Sequence, residues 1–168
     1  MHHASPPPAL PAAAGLPAYL LYGEQGAASV TERLHVETIS SRSRLHDWEI
    51  KPHRHEAFFQ ILYIDHGRAE ARLDAERQPL LGPCAVSVPA MVAHGFRFEP
   101  GVQGHVITVQ ALHLAALLAA EPALWARFAA PLHLAVGRGA PAARGLKEAV
   151  QALADEYGSH LPWRAAAI

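Results

Sequence analysis

Cysteine is nearly missing from this chain, and Cys84 is the only one. No intrachain disulfide can form, so the framework of small secreted domains is excluded and a reducing cytoplasm fits. Cys84 itself reads as a small apolar strand residue, with a redox sensor as the other reading. Excess charge is missing too. Fourteen Lys and Arg stand against fifteen Asp and Glu, a formal net charge of -1, which lacks the basic surplus needed to hold a phosphate backbone. The start, "MHHASPPPALPAAAGLPAYLLYG", has no Lys or Arg before its apolar residues and is broken by prolines, unlike a secretory signal. The longest apolar run, around Ala111 to Ala120, is interrupted by His113 and is too short to cross a bilayer. Internal repeats are absent.

The 168 residues are 51% apolar, enough to bury one core and build one domain. Residues 1–17 are rich in Pro and Ala and read as a flexible arm. From there to about residue 110 the chain alternates short β-prone runs with turn residues. The candidate strands are "RLHVETIS", "LHDWEI", "FFQILYID", "RAEARLD", "CAVSVP", "GFRF" and "HVITV", and the turns "DHG", "LLGP" and "EPGVQG". Ala69, Ala71 and Leu73 alternate with Glu70, Arg72 and Asp74, the pattern of a strand with one buried face. The reading is mainly β, an antiparallel sandwich or barrel over residues 18–110.

Beyond Gln110 the composition turns to Ala, Leu and Glu, which favour helix. "ALHLAALLAA" and "PALWARFA" predict two short helices divided at Glu121 and Pro122, and "PLHLAVGRG" a brief extended piece. In "PAARGLKEAVQALADEYG", Leu146, Val150, Leu153 and Tyr157 form one apolar stripe, expected to pack on the core and to end at Gly158. Residues 111–168 thus form a helical segment for linkage or dimerisation. "HLPWRAAAI" lacks a helix stop, and the expectation is a chain cut short of a further domain.

The stretch "HRHEAFFQILYIDHG" carries the chemistry. His53 and His55 are two apart and share one side of an extended chain, where Gln60 and His94 can join them only across strands. Three imidazoles suit zinc or a similar borderline ion, with Gln60 as a neutral, weak fourth ligand. Equally, His53, His55, Gln60 and His94 read as polar groups lining a pocket and bonding an organic ligand. His66 beside Gly67 reads as solvated, and His35, His46 and His105 as strand-surface or satisfied core residues.

The order His53-x-His55-x4-Gln60-x6-Gly67, followed by Gly82, Pro89 and His94, resembles the two signature motifs of the cupin barrel. The resemblance implies a jelly-roll type antiparallel β-barrel. Gln60 stands where cupins carry a metal-binding Glu, Met91 where the second motif has Gly, and Phe98 where it often has a polar residue. Loss of the carboxylate makes redox iron a poorer fit than zinc. With "PHRHEAFFQILYIDHGRAEARLD", "VPAMVAHGFRF" and a following helical segment, residues 16–168 are similar to the N-terminal effector-binding domain of AraC-family transcriptional regulators. "LPAYLLYGE" and "ISSRSRLHDWEIKPHRH" look most like the branch that responds to hydroxybenzoate or hydroxyphenylacetate. The resemblance implies a homodimer whose DNA contacts lie in a C-terminal helix-turn-helix domain outside this sequence, and Tyr19 and Tyr22 near the barrel mouth.

Phe58, Leu62 and Ile64 are in phase with Gln60, and Phe96 and Phe98 with His94, an aromatic and apolar wall suited to a flat aromatic acid. Its carboxylate would meet a metal, a protonated histidine or an arginine. Arg42 and Arg44 share a strand face, and Arg44 is the candidate, with a solvated edge as the plainer reading. Trp48 is a stacking candidate or a core residue. Two functions remain. One is a cytoplasmic ligand sensor for a small aromatic carboxylic acid, and the other is a metal-dependent cupin enzyme, an isomerase or dioxygenase. The nearest carboxylate, Glu56, is out of phase with His55, which favours the sensor.

Overall fold

The computed structural model describes residues 33–159. The arm, Tyr19, Tyr22 and the final residues 160–168 lie outside the described residues.

Among the described residues nine strands and four α-helices follow in order: β1 (Leu34–Thr38), α1 (Ile39–Ser43), β2 (Glu49–His53), β3 (Phe58–His66), β4 (Arg68–Leu73), β5 (Glu76–Leu81), β6 (Cys84–Val88), β7 (His94–Phe98), β8 (Gln103–Gln110), α2 (Ala111–Leu117), α3 (Pro122–Arg127), β9 (Leu132–Ala135) and α4 (Pro141–Gly158). All pairings are antiparallel. They form a five-stranded sheet, β1-β8-β3-β6-β9, and a four-stranded sheet, β2-β7-β4-β5.

β3 is the centre of the larger sheet and is buried on both faces. Phe58, Gln60, Leu62 and Ile64 face inward, and Leu62 and Ile64 join Ile50, Ala71, Leu80, Phe96 and Phe98 in the core between the sheets. On the outer side Ile61 and Tyr63 pack with Val36 and Ile107 under Leu146, Val150, Leu153, Ala154 and Tyr157 of α4. Phe59 meets Phe128 edge to face at 5.3 Å between ring centroids. The apolar stripe of α4 is therefore a core face, and the run "FFQILYI" shows no polar alternation because neither side of it meets water. α4 holds no left-handed glycine cap. Gly158 is its last helical residue and Ser159 caps it in extended conformation.

Three segments differ from the sequence reading. "RLHVETIS" is a strand only to Thr38, whose hydroxyl accepts from the Ser41 backbone N–H and starts α1. Thr at an N-cap satisfies a donor that a strand would leave to a neighbour. "LHDWEI" is a 3-10 turn over Arg44–His46, then left-handed Asp47 and Trp48, and becomes strand only at Glu49. β5 was hidden by Pro79, which an edge strand tolerates. "LHLA" does pair, as β9 against β6, so the sheet extends past residue 110.

Cys84 is fully buried, and burial pushes its thiol up to about 11, so it stays protonated and serves as packing. No helix among the described residues is long and apolar enough to cross a membrane.

Gly104 lies opposite Ile64 where β3 is irregular, and a Cβ there would collide with the Tyr63 carbonyl oxygen and the Ile64 Cα. Gly104→Ala should therefore destabilise the domain by about 2–3 kcal/mol, the scale of an overpacked core. Gly137, with open space around it, provides the control. Urea unfolding of G104A and G137A checks the contrast.

Candidate functional site

β2 ends at His53, the next residues turn, and His55 follows two positions on, while β7 begins at His94. His53 and His94 are direct partners in the β2–β7 ladder, which fixes two of the three imidazoles side by side. The register of β2 shifts between Ile50 and His53, so His53 is set by this irregularity rather than by strict alternation from Ile50. The result is a cluster of three histidines, each 1% exposed, whose ligand atoms all lie within 4.8 Å of one another. Ring centroids are 4.4 Å apart for His53 and His94, 4.9 Å for His53 and His55, and 5.3 Å for His55 and His94.

Backbone carbonyls orient two of the rings. His53 Nδ1 lies 2.9 Å from the Lys51 carbonyl oxygen, and His94 Nδ1 lies 2.9 Å from that of Val92. Each carbonyl accepts from Nδ1–H, so each ring turns a lone pair at Nε2 toward the others. His94 Nε2 is buried with no hydrogen-bond partner. His53 Nε2 and His55 Nε2 are 3.3 Å apart. With His53 in that tautomer, either His55 donates Nε2–H to it or a cation sits between two lone pairs. Ligands of tetrahedral zinc at about 2.05 Å are separated by roughly 3.3 Å, so the His53–His55 pair already has that spacing. The donor set fits a borderline divalent ion held by His53, His55 and His94.

Burial first, and the neighbouring His94 second, lower His53 to about 3, and burial lowers His94 to about 4. Arg42 also contributes to lowering both. The His53 and His94 rings are neutral at physiological pH, as metal ligation or neutral hydrogen bonding requires.

Gln60, 3% exposed on β3, donates from Nε2 to Thr108 Oγ1 at 3.2 Å, which engages its nitrogen and leaves its carbonyl oxygen as the atom for a ligand or ion. Phe58 stands 6.3 Å from the His55 ring, Phe96 5.9 Å from the His94 ring, and Phe98 stacks on Phe96. These residues all belong to the space between the sheets. Trp48 is half-buried against the same core, and its carbonyl accepts from Phe98 N–H. Arg44 is exposed at the end of α1. The strand face shared by Arg42 and Arg44 does not exist, because helical residues two apart diverge. Arg42, ion-paired with Glu37 and only 9% exposed, is the arginine whose charge reaches the histidines. The Thr38 cap was the signal for this helix. Among the other histidines, His66 and His46 are exposed, and His35 bonds the Tyr157 hydroxyl at 2.9 Å.

Two antiparallel sheets packed face to face, with histidines of the smaller one gathered at a turn, define a cupin-like β fold. The family model described as the AraC-like ligand-binding domain matches residues 35–166, and the chain belongs to that family. No curated protein matches. Among solved structures, KdgF from Halomonas sp. is 28% identical over 37% of this chain and 58% of its own, with a TM-score of 0.35. A ToxT variant from Vibrio cholerae is 9% identical over 80% of this chain and 51% of its own, at a TM-score of 0.49. A cupin 2 conserved barrel domain protein from Salinispora arenicola is 16% identical over 58% of this chain and 80% of its own, at 0.35. The chain thus spans little more than half the length of the first two.

The depressed imidazole pKa values predict an acid-labile fold. Both groups take up protons in the unfolded chain near pH 6.5 but resist them when folded. Their stabilising effect is complete above that value and is lost as pH falls toward 4 and 3. In the presence of chelator, moving from pH 7 to pH 5 should cost roughly 2–4 kcal/mol, given about 1.4 kcal/mol per pH unit for each group. Urea titrations across that range test this. A flat profile would mean that the rings protonate freely in the native state.

Proposed function

We propose that this chain is the effector-sensing part of a transcriptional regulator, that its effector is a small hydroxylated aromatic carboxylic acid, and that it responds without turning that effector over. The observation that carries the reading is the cluster of three buried imidazoles, with His94 Nε2 lacking a partner, inside a domain of the AraC-like ligand-binding family. A buried polar atom without a partner is costly, and an incoming ligand or ion would remove that cost. Phe58, Phe96 and Phe98 beside the cluster favour an aromatic ring over a sugar, which would need more hydrogen-bonding side chains. The carboxylate would be received by zinc held on His53, His55 and His94, with Gln60 as a weak further ligand, or by the imidazole hydrogen bonds directly.

In this reading the Arg42 charge, close enough to act on His53 and His94, adds attraction for an anion, while Arg44 and Trp48 belong to the rim. The bound effector would bias a two-state arrangement of the domain, which as a homodimer in the cytoplasm would present an attached helix-turn-helix domain to DNA. The β region and the helical segment would be the parts through which that bias passes.

A thermal-shift panel of hydroxybenzoates, hydroxyphenylacetates, pentoses and aliphatic diacids tests the effector. At about a hundred times its dissociation constant the true effector adds about 2.7 kcal/mol, which raises the midpoint by roughly 5–10 °C for a chain of this size. The aromatic acids should produce this shift and His55→Ala should abolish it. Stabilisation by a pentose alone, lost in His55→Ala, would replace the aromatic assignment, and turnover of any compound would point to a metal-dependent cupin enzyme.

Elemental analysis of protein purified without chelator addresses the metal. Stoichiometric zinc is expected, and the double substitution of His55 and His94 by Ala should remove it because two of three strong ligands go. If wild-type protein carries no metal, the ligand meets the imidazoles directly.

A further inference from the structure

A second polar space lies on the opposite side of the larger sheet from the histidines. Between α4 and the β3–β8 pair is a crevice of about 230 Å³, walled by Tyr63, Asp65, Gln103, His105, Lys147 and Gln151, with Gly104 and Val150 completing it. Helices normally pack on sheets without gaps of this size. Here β3 is irregular between Ile64 and His66, which disturbs the regular surface on which the helix would otherwise pack.

The walls are polar and their charges are already matched. Tyr63 donates to Asp65 Oδ1 at 3.0 Å, and Lys147 donates to Asp65 Oδ2 at 2.7 Å. These bonds hold the Asp65 carboxyl below its ordinary range against the opposing effect of burial. Gln151 donates to Asp155 at 2.8 Å. His105, directly across from Tyr63 in the ladder, buries Nδ1 with no hydrogen-bond partner. Burial lowers its pKa, so the ring is neutral and Nδ1 can either donate or accept one bond.

We propose that this crevice is a second small-molecule site, separate from the histidine cluster, and that it takes a small neutral polyol. Apolar gaps stay dry, but a gap with this lining is built to be filled by hydrogen-bonding groups. Asp65 Oδ1 accepts from the Tyr63 hydroxyl and Oδ2 from the Lys147 ammonium, so the one cation of the walls is already paired and a carboxylate finds no unmatched positive charge. The remaining valences mix donors and acceptors: the His105 ring, the Gln103 amide and the carbonyl of Gln151. Hydroxyl groups, which donate and accept at once, match that mixture. The volume corresponds to about seven or eight waters at roughly 30 Å³ each, enough for a polyol of three to five carbons. Because one wall is α4 and the other is the sheet, an occupant would tie the helix to the strands beyond its apolar stripe.

Two-dimensional amide NMR of the 168-residue chain, titrated with glycerol, erythritol and xylitol and, separately, with acetate and tetramethylammonium, tests the proposal. The polyols should give saturable shifts centred on Gly104, His105, Lys147 and Gln151, and the two ions none. His105→Phe should weaken polyol binding at least tenfold. Gln151 is exposed, so Gln151→Trp should fill the crevice without unfolding the chain and do the same. Non-saturating shifts, a preference for either ion, shifts confined to the neighbourhood of His53, His55 and His94, or unchanged binding in a folded Gln151→Trp variant would each overturn it.

Discussion

The structure depends on covering both faces of one strand. β3 runs through the middle of the larger sheet with Leu62 and Ile64 inside and Phe59 and Tyr63 outside, all at most 2% exposed. A strand that apolar cannot face water on either side. The inner face requires a second sheet, and that sheet brings β2 and β7 into position to carry His53 and His94. The outer face requires a helix, and α4 supplies it with a stripe of Leu146, Val150, Leu153 and Tyr157. The two polar sites are therefore consequences of one packing demand met twice, one on each side of the same strand.

Neutrality of His53 and His94 is the condition that lets them share a dry space with His55. Two charged rings at the 3.3 Å separation of His53 and His55 would repel strongly where little solvent screens them. The Lys51 and Val92 carbonyls instead select one tautomer at His53 and His94 and leave lone pairs pointing at one another. An arrangement of converging lone pairs is poor company for itself and good company for an electrophile, whether an ion or a hydrogen-bond donor. Arg42, held by Glu37, contributes positive potential without entering the cluster of ligand atoms.

Much of this was legible in the sequence, for reasons that are local. Glycines at 67 and 101 adopt positive φ where turns were expected, and Ala69, Ala71 and Leu73 are buried as their alternation predicts. The two-residue spacing of His53 and His55 places them together with His94, which strand pairing brings from forty residues away. What stayed hidden depended on context. The Ser-rich run after Thr38 has no strong helical period, and only the cap distinguishes α1 from a continued strand. A strand reading of this run puts Arg42 and Arg44 on one face, whereas the fold half-buries Arg42 against Glu37 and leaves Arg44 exposed. The crevice beneath α4 left no mark, because Tyr63, Asp65, His105 and Lys147 acquire a common purpose only through packing.

The prolines of the smaller sheet have an effect outside the domain itself. Among the described residues its two outermost strands are β2 and β5, and each carries one, Pro52 and Pro79, while β2 is also irregular between Ile50 and His53. A proline presents no N–H to an approaching strand, and a bulge spoils the regular spacing that such a strand would need. The margins of this sheet are therefore poor templates for a foreign β-strand. In a crowded cell the histidine-bearing half of the molecule is protected from being zipped into a neighbour, and the geometry of its three rings is insulated from chance association.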